Sequence, residues 1–272
     1  MFRLEDCTAL ITGASSGLGS EFARQLGGRA RRVILVARRV ERLRSLAAEL
    51  DKRHPGLVVS IYTADLTRAA EREGLIAWLE GESLNPDLLV NNAGVGDYGD
   101  FGEADWERVD GLLQLNMVAL THLTHALLPG LRAAGGAAIV NVSSLASLLP
   151  VPDLAAYAAS KAYVTSLSES LRHELRSEKV NVVALCPGPV KTEFGAVARR
   201  GENAKLEPPG GKLIYMEADK VVREALEAAE DNQARVFPGL PVFLAACAIE
   251  TLPSPLLRFI LGRRDRYGDK GE

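Results

Sequence analysis

Thr8-Ala-Leu-Ile-Thr-Gly-Ala-Ser-Ser-Gly-Leu-Gly-Ser20 places an apolar run, a glycine-rich turn and the opening of a helix side by side. Gly13, Gly17 and Gly19 let the chain turn sharply and let its backbone approach a pyrophosphate. That anion would then meet the free N–H groups and positive dipole end of a helix N-terminus, with Ser15, Ser16 and Leu18 between the glycines also in reach. The spacing is G-x-x-x-G-x-G rather than the general G-x-G-x-x-G. Such a turn alone is equally a plain strand-to-helix connection, so its place in the chain carries the argument.

It follows the first of a series of short apolar runs. The others are Arg32–Ala37, Leu57–Tyr62, Asp87–Val90, Ala137–Val142, Val180–Leu185 and Ala234–Phe237. Several are almost continuous in apolar residues, as strands covered on both faces are. Helical periodicity fills the gaps: Leu43, Leu46, Ala47 and Leu50 form one stripe, and Leu112, Leu115, Leu120, Leu123 and Leu127 another. The alternation predicts an α/β fold with a single doubly wound parallel sheet of about seven strands and helices on both faces. The expected organisation is a catalytic domain over residues 1–240 and an apolar C-terminal helical extension over 241–272 that is not an independent domain. The irregular stretch from Gly195 to Gly211 is read as a loop within a substrate lid at about 193–217.

The chain has 272 residues, 47% hydrophobic and 25% charged, with a net charge of -3. That size buries a core without disulfides or metal, and the charge offers no footprint for nucleic acid. Cys7, Cys186 and Cys247 are odd in number and far apart, so they read as buried small hydrophobes in a reducing compartment. The first residues carry no apolar signal-peptide core, and the expected location is cytoplasmic.

After the second strand come Ala37-Arg38-Arg39, where NAD enzymes place an Asp or Glu for the ribose 2′-hydroxyl. Two guanidinium groups suit a 2′-phosphate, so NADP(H) is expected in preference to NAD(H).

Tyr157-Ala-Ala-Ser-Lys161 puts a phenol and an ammonium on one helical face. Lowering a tyrosine pKa from about 10 by about 3 units takes roughly 4 kcal/mol. One ammonium at about 4 Å supplies roughly that at an effective dielectric of about 20. Ser144, thirteen positions before Tyr157, ends a strand where its hydroxyl would orient a carbonyl. Asn91-Asn-Ala-Gly94 ends another strand, and the carboxyl ends of strands are where this architecture binds ligands.

These motifs, in this order and spacing, together with Pro187-Gly-Pro-Val-Lys-Thr192, resemble the short-chain dehydrogenase/reductase superfamily from about residue 6 to 238. The resemblance implies a Rossmann-type fold and an oxidoreductase acting on a carbonyl or secondary alcohol, with a set of roles. Tyr157 would be the acid–base; Lys161 would lower its pKa and hold the nicotinamide ribose; Ser144 would polarise the carbonyl; and Asn116 would hold a water in a proton relay. Asp65 and Leu66 would contact adenine, Asn92, Ala93 and Gly94 would line the cofactor cleft, and Pro187, Gly188, Val190 and Thr192 would pack beside the nicotinamide. Val95, Leu145, Leu149, Val151 and Leu154 would line the substrate side, which suits a moderately lipophilic ketone or aldehyde. Assembly into homodimers or homotetramers through long helices at roughly 105–133 and 155–178 is expected.

Other residues are read plainly. His122 and His125 share a helix face without carboxylate or cysteine company, so no metal is assigned. Trp78 and Trp106 are expected to pack, and Arg199 and Arg200 to be a solvated loop rather than a guide for an anionic substrate. The apolar segment after Pro238, with four arginines from Arg258 to Arg266, reads first as a cover for the cleft or a subunit interface, and second as a peripheral contact with anionic lipid. The alternative function is a non-catalytic NADP(H) sensor regulating a partner.

Overall fold

The computed structural model describes residues 2–200, 215–253 and 255–256. Seven parallel strands form one sheet in the order β3-β2-β1-β4-β5-β6-β7. They are β1 (Thr8–Thr12), β2 (Arg32–Ala37), β3 (Val58–Thr63), β4 (Leu88–Asn91), β5 (Ala137–Val142), β6 (Val180–Leu185) and β7 (Arg235–Val236). All seven lie where the apolar runs place them, within about two residues at the ends. β1, β4, β5 and β6 are buried along their whole length.

Side chains alternate between two cores, because successive residues of a strand face opposite sides. Ala9 and Ile11 of β1, Val33 and Leu35 of β2, and Leu88 and Val90 of β4 join one core. There they meet α1 (Gly17–Leu26), α2 (Val40–Arg53) and α8 (Ala218–Glu230) through Phe22, Leu43 and Val221. Leu10, Ile34, Leu89 and Ile139 face the other core, which includes Leu75 and Leu79 of α3 (Ala69–Gly81) and Leu123 and Leu131 of α5 (Leu120–Ala133). Each fully buried Leu, Ile or Phe contributes about 1.5–3 kcal/mol of apolar transfer, so both faces are needed to hold the sheet.

The helix expected over roughly 105–133 is divided. α4 (Trp106–Leu113) passes through a π-helical stretch, Gln114–Ala119, into α5. One extra residue per turn is accommodated there, a distortion that commonly marks a site. α6 (Ala155–Glu174) is continuous.

The start of the stretch expected as irregular loop from Gly195 falls in a short α7 (Phe194–Ala198). Its last carbonyls are covered from α4: Arg108 Nη2 donates to the carbonyls of Val197 at 2.9 Å and Ala198 at 3.0 Å. Residues 201–214 of the proposed lid lie outside the described residues.

The C-terminal extension is helical in α9 (Leu240–Thr251), where Val242 and Ala246 are buried and Leu240, Phe243 and Leu244 are exposed. The arginine-rich stretch from Arg258 lies outside the described residues. Among the described residues no helix is long and apolar enough to cross a membrane.

Three plain expectations need correction. Cys7 and Cys186 are buried, but Cys247 is exposed, because it faces outward on α9. Trp78 stacks at 5.0 Å on Tyr62, whereas Trp106 is 68% exposed at the start of α4. Arg200 is no solvated loop residue: its Nε donates to Asp97 Oδ1 at 2.8 Å.

Candidate active site

The strand order reverses between β1 and β4, and ligands of open parallel sheets bind outside the carboxyl ends at that point. A cleft of about 540 Å³ opens there, within the range of small-molecule and cofactor sites. Its walls are the segments that follow β1, β2, β3, β4, β5 and β6.

The glycine-rich turn forms one wall, and its glycines are required by space. A Cβ on Gly19 would stand 2.3 Å from the Gly13 carbonyl oxygen and 2.6 Å from Asn92 Nδ2. Gly13 and Gly17 have φ of +67° and +55°, a region costly for residues with a Cβ. Asn92 ties the turn to β4 by donating from Nδ2 to the Thr12 carbonyl at 2.8 Å. Thr12 Oγ1 returns the tie, accepting from the N–H groups of Asn92 and Ala93, each at 3.0 Å.

At one end of the cleft, Arg38 lies 3.8 Å from Asp65, whose carboxylate also accepts from the Thr67 N–H and hydroxyl. Arg39 donates from Nε to Ser15 Oγ at 3.1 Å and from Nη2 to Ser16 Oγ at 2.6 Å.

At the other end stand Ser144, Tyr157 and Lys161. Ser144 begins a 3-10 turn, Leu145–Leu148, and its Oγ accepts from the Ala146 N–H at 3.1 Å. The same hydroxyl faces the Tyr157 phenol across the cleft and favours its ionised form. Lys161 Nζ donates to the Val142 carbonyl at 2.8 Å and lies 5.8 Å from the Tyr157 ring centre.

Both titratable groups are buried, and burial dominates them. It pushes the phenol up to about 12, against the lowering effect of Ser144. It pulls the ammonium down to about 8. The lowering of Tyr157 expected from Lys161 is therefore absent in the protein by itself. Burial dominates the phenol, and the Lys161 ammonium donates to a backbone carbonyl rather than to it.

Asn116 stands behind the cleft, in the π-helical stretch. Its Oδ1 accepts from the Val95 N–H at 2.9 Å, and its Nδ2 donates to the Val95 carbonyl at 2.9 Å and to Ser160 Oγ at 3.1 Å. The side chain thus pins the loop after β4 to α6. Gly94 separates this group from the cleft, since a Cβ there would meet Asn116 Oδ1 at 3.2 Å and Lys161 Nζ at 3.4 Å.

The structure brings every site residue read from the sequence to the wall of this cleft except Gly19, which packs beneath the turn, and Asn116, which packs behind Gly94. The five apolar residues expected on the substrate side also line it, joined by Phe194, Val197 and Tyr98. The Phe194 ring sits 5.6 Å from the Tyr157 ring.

Several contributors escaped the sequence reading. Asp97 is almost wholly buried and accepts from Arg108 Nε at 2.7 Å and from Arg200. Burial pushes its carboxyl up, but the hydrogen bonds from Arg200 and Arg108 outweigh it and hold the carboxyl below the usual range. Glu193 accepts from Arg39 and Arg42. No motif announced these groups, because their partners are distant in sequence. His122 accepts from Arg72 Nε at 3.3 Å, an ordinary structural contact. Among the described residues no group of three or more His, Cys, Asp or Glu is placed to hold a metal ion.

A profile of the short chain dehydrogenases matches residues 7–203. A sulfoacetaldehyde reductase from Chromohalobacter salexigens is 38% identical over 254 residues, 90% of this chain and 93% of that protein. A short-chain dehydrogenase from Sphingobium yanoikuyae, solved with NADPH, superposes with a TM-score of 0.77 at 31% identity, covering 98% of this chain and 99% of its own. A short-chain dehydrogenase/reductase from Burkholderia phymatum, solved with NAD, gives 0.79 at 27% identity, covering 98% of each chain. The chain belongs to the short-chain dehydrogenase/reductase family and is an NAD(P)-dependent oxidoreductase. The cleft fits such a dinucleotide: it pairs a wall that admits no side chain with anion-binding groups at one end and a phenol, a hydroxyl and an ammonium at the other.

Proposed function

We propose that this oxidoreductase uses NADP(H) to interconvert a moderately lipophilic ketone or aldehyde and its alcohol, with Tyr157 as the acid–base. The observation that carries the reading is the buried phenol of Tyr157, sharing a cleft with Ser144, Lys161 and an apolar wall. When bound, the reduced nicotinamide supplies the hydride. Tyr157 gives its proton to the carbonyl oxygen in reduction and takes it back in oxidation. With a phenol pKa pushed up to about 12 in the protein alone, Tyr157 is protonated at neutral pH, the form a donor needs.

Ser144 donates to the same oxygen and fixes the carbonyl in line with the phenol. Lys161 keeps N–H groups beyond the one given to Val142 and offers them to the nicotinamide ribose. Its charge favours phenolate in the oxidation direction. Asn116 holds the loop carrying Gly94 and Val95 in place. Arg38, Arg39, Ser15 and Asp65 receive the adenosine end. A dinucleotide sensor would have no use for the desolvated phenol.

The apolar wall supports the substrate class. Among the described residues lining the cleft, the only cations are Arg38 and Arg39 at the nucleotide end and Lys161. Assembly through α4, α5 and α6 belongs to the same reading, supported by exposed Trp106 and Val118, and sedimentation gives its stoichiometry.

The test is loss of NADPH absorbance across a panel of aldehydes and ketones of graded polarity, repeated with NADH. The reading predicts turnover of apolar carbonyls, with kcat/KM higher for NADPH. Tight NADPH binding with no turnover on any of them, or an NADH preference, overturns it.

A further inference from the structure

We propose that Glu193 is a built-in counter-anion at the adenosine end, whose carboxylate competes with the cofactor's 2′-phosphate for Arg39 and Arg42 and so sets how strongly this chain prefers NADP(H). The inference rests on the NADP(H) reading given above.

Glu193 follows Thr192 and so comes from the far wall of the cleft, more than 150 positions from the two arginines. Its carboxylate crosses to them. Arg39 Nη1 donates to Glu193 Oε2 at 3.1 Å, and Arg42 Nη1 donates to both carboxylate oxygens, at 2.7 and 2.8 Å. The other two nitrogens of Arg39 donate to Ser15 and Ser16 of the glycine-rich turn. One guanidinium therefore holds the turn with two nitrogens and a carboxylate with a third. Two arginines on a single anion, one of them steadied by two serine hydroxyls, are a donor set that suits a phosphate monoester. In the protein alone, Glu193 supplies that anion.

The neighbouring charges leave little else to neutralise a dianion. Arg38 is shared with Asp65, and Arg44 pairs with Glu41. Hydrogen bonds from Arg42 and then Arg39 hold the Glu193 carboxyl below its ordinary range, so it is fully charged at neutral pH. A 2′-phosphate arriving here must share or displace it, and the repulsion falls on NADP(H) alone, since NAD(H) carries only a hydroxyl at that position. Arg39, Arg42 and Glu193 are each about half exposed. The competition is therefore modest and screened by salt. It tempers affinity rather than abolishing it, which favours release of the product nucleotide.

The experiment measures calorimetric affinity of wild type, Glu193→Gln and Glu193→Asp for 2′,5′-ADP and 5′-AMP, which carry no nicotinamide, and for NADPH and NADH. At low salt Glu193→Gln should bind 2′,5′-ADP and NADPH about fivefold tighter than wild type, the scale of an exposed ion pair. Its affinities for 5′-AMP and NADH should stay within about twofold, and the gain should shrink toward unity in high salt. Glu193→Asp keeps the charge and should stay near wild type. If Glu193→Gln leaves discrimination between the two nucleotides unchanged, or weakens all four ligands alike, the counter-anion is overturned. The NADP(H) reading fails separately, in wild type: native protein that binds NADH at least as tightly as NADPH contradicts it. Should Glu193→Gln then gain discrimination, the counter-anion stands and only the native preference falls.

Discussion

At the proposed nucleotide end of the cleft, Arg38, Arg39 and Arg42 are about half exposed or more, and their ion pairs face solvent. At the catalytic end, Asp97, Tyr157, Lys161 and Asn116 are buried, and their hydrogen bonds are made inside the protein. The contrast follows from what each end must do. A dinucleotide phosphate brings its own charge and needs donors that can be rearranged. Proton transfer needs a phenol whose pKa and direction are fixed, and fixing them means removing water. Changes at the catalytic end should therefore cost stability and chemistry, whereas changes at the nucleotide end should cost affinity.

The largest expected effect tests the buried end. Asp97→Asn leaves Arg108 and Arg200 without their charged partner, and breaking such a pair costs about 3 kcal/mol. A fall in urea midpoint with unchanged slope measures it. Because the folded carboxyl sits below its ordinary range, the wild-type advantage is present above the unfolded pKa and is lost as pH falls through the folded one. A variant as stable as wild type at neutral pH would erase the distinction between the two ends.

Lys161 sharpens the comparison through its pH dependence. The unfolded chain releases that proton near 10.5 and the folded protein near 8. Between those values only the unfolded chain holds it, so this group adds stability as pH rises from about 8 to 10.5, and below about 8 the buried ammonium costs its full amount. Relative to Lys161→Met, wild type should gain up to about 3 kcal/mol over that window, read as converging or crossing melting temperatures. Parallel curves would show that Lys161 is not desolvated.

A smaller effect tests the wall between the two ends. Gly19→Ala forces a Cβ against the Gly13 carbonyl and should cost about 2 kcal/mol together with cofactor affinity. Gly28→Ala, where a Cβ meets its nearest neighbour at 3.6 Å, should be close to neutral. The smallest effect belongs to the exposed end. Arg38→Ala should weaken NADPH binding about fivefold, as an exposed ion pair would, and leave the melting temperature and NADH affinity unchanged. Calorimetry with both cofactors checks it, and unchanged NADPH affinity would remove Arg38 from the proposed site.

The same contrast explains what could be read from the sequence. The strands were legible because runs such as Ala137–Val142 are apolar on both faces, and the order of motifs located the glycine-rich turn, Asn92, Ser144 and Tyr157. Those signals are local, lying within a few residues of one another or at a fixed offset. The Asp97–Arg200 pair and the Glu193 contacts span about 100 and 150 residues, and nothing in a single sequence marks them. The π-helical stretch at Asn116 was invisible for another reason: its leucine spacing, Leu112 and Leu115 then Leu120, fits a continuous helix as well. Spacing reveals the charge that neighbours Tyr157 but not the loss of water that burial imposes on its phenol.

The central claim is that Tyr157 moves the proton in a cleft whose other end holds the cofactor independently. Tyr157→Phe keeps the ring against Phe194 and removes only the hydroxyl. NADPH affinity and carbonyl turnover, measured on the same preparation, test it directly. The account predicts NADPH binding within about twofold of wild type and turnover lowered by roughly 10²–10⁴-fold. Turnover that survives in Tyr157→Phe, with NADPH bound normally, would contradict it.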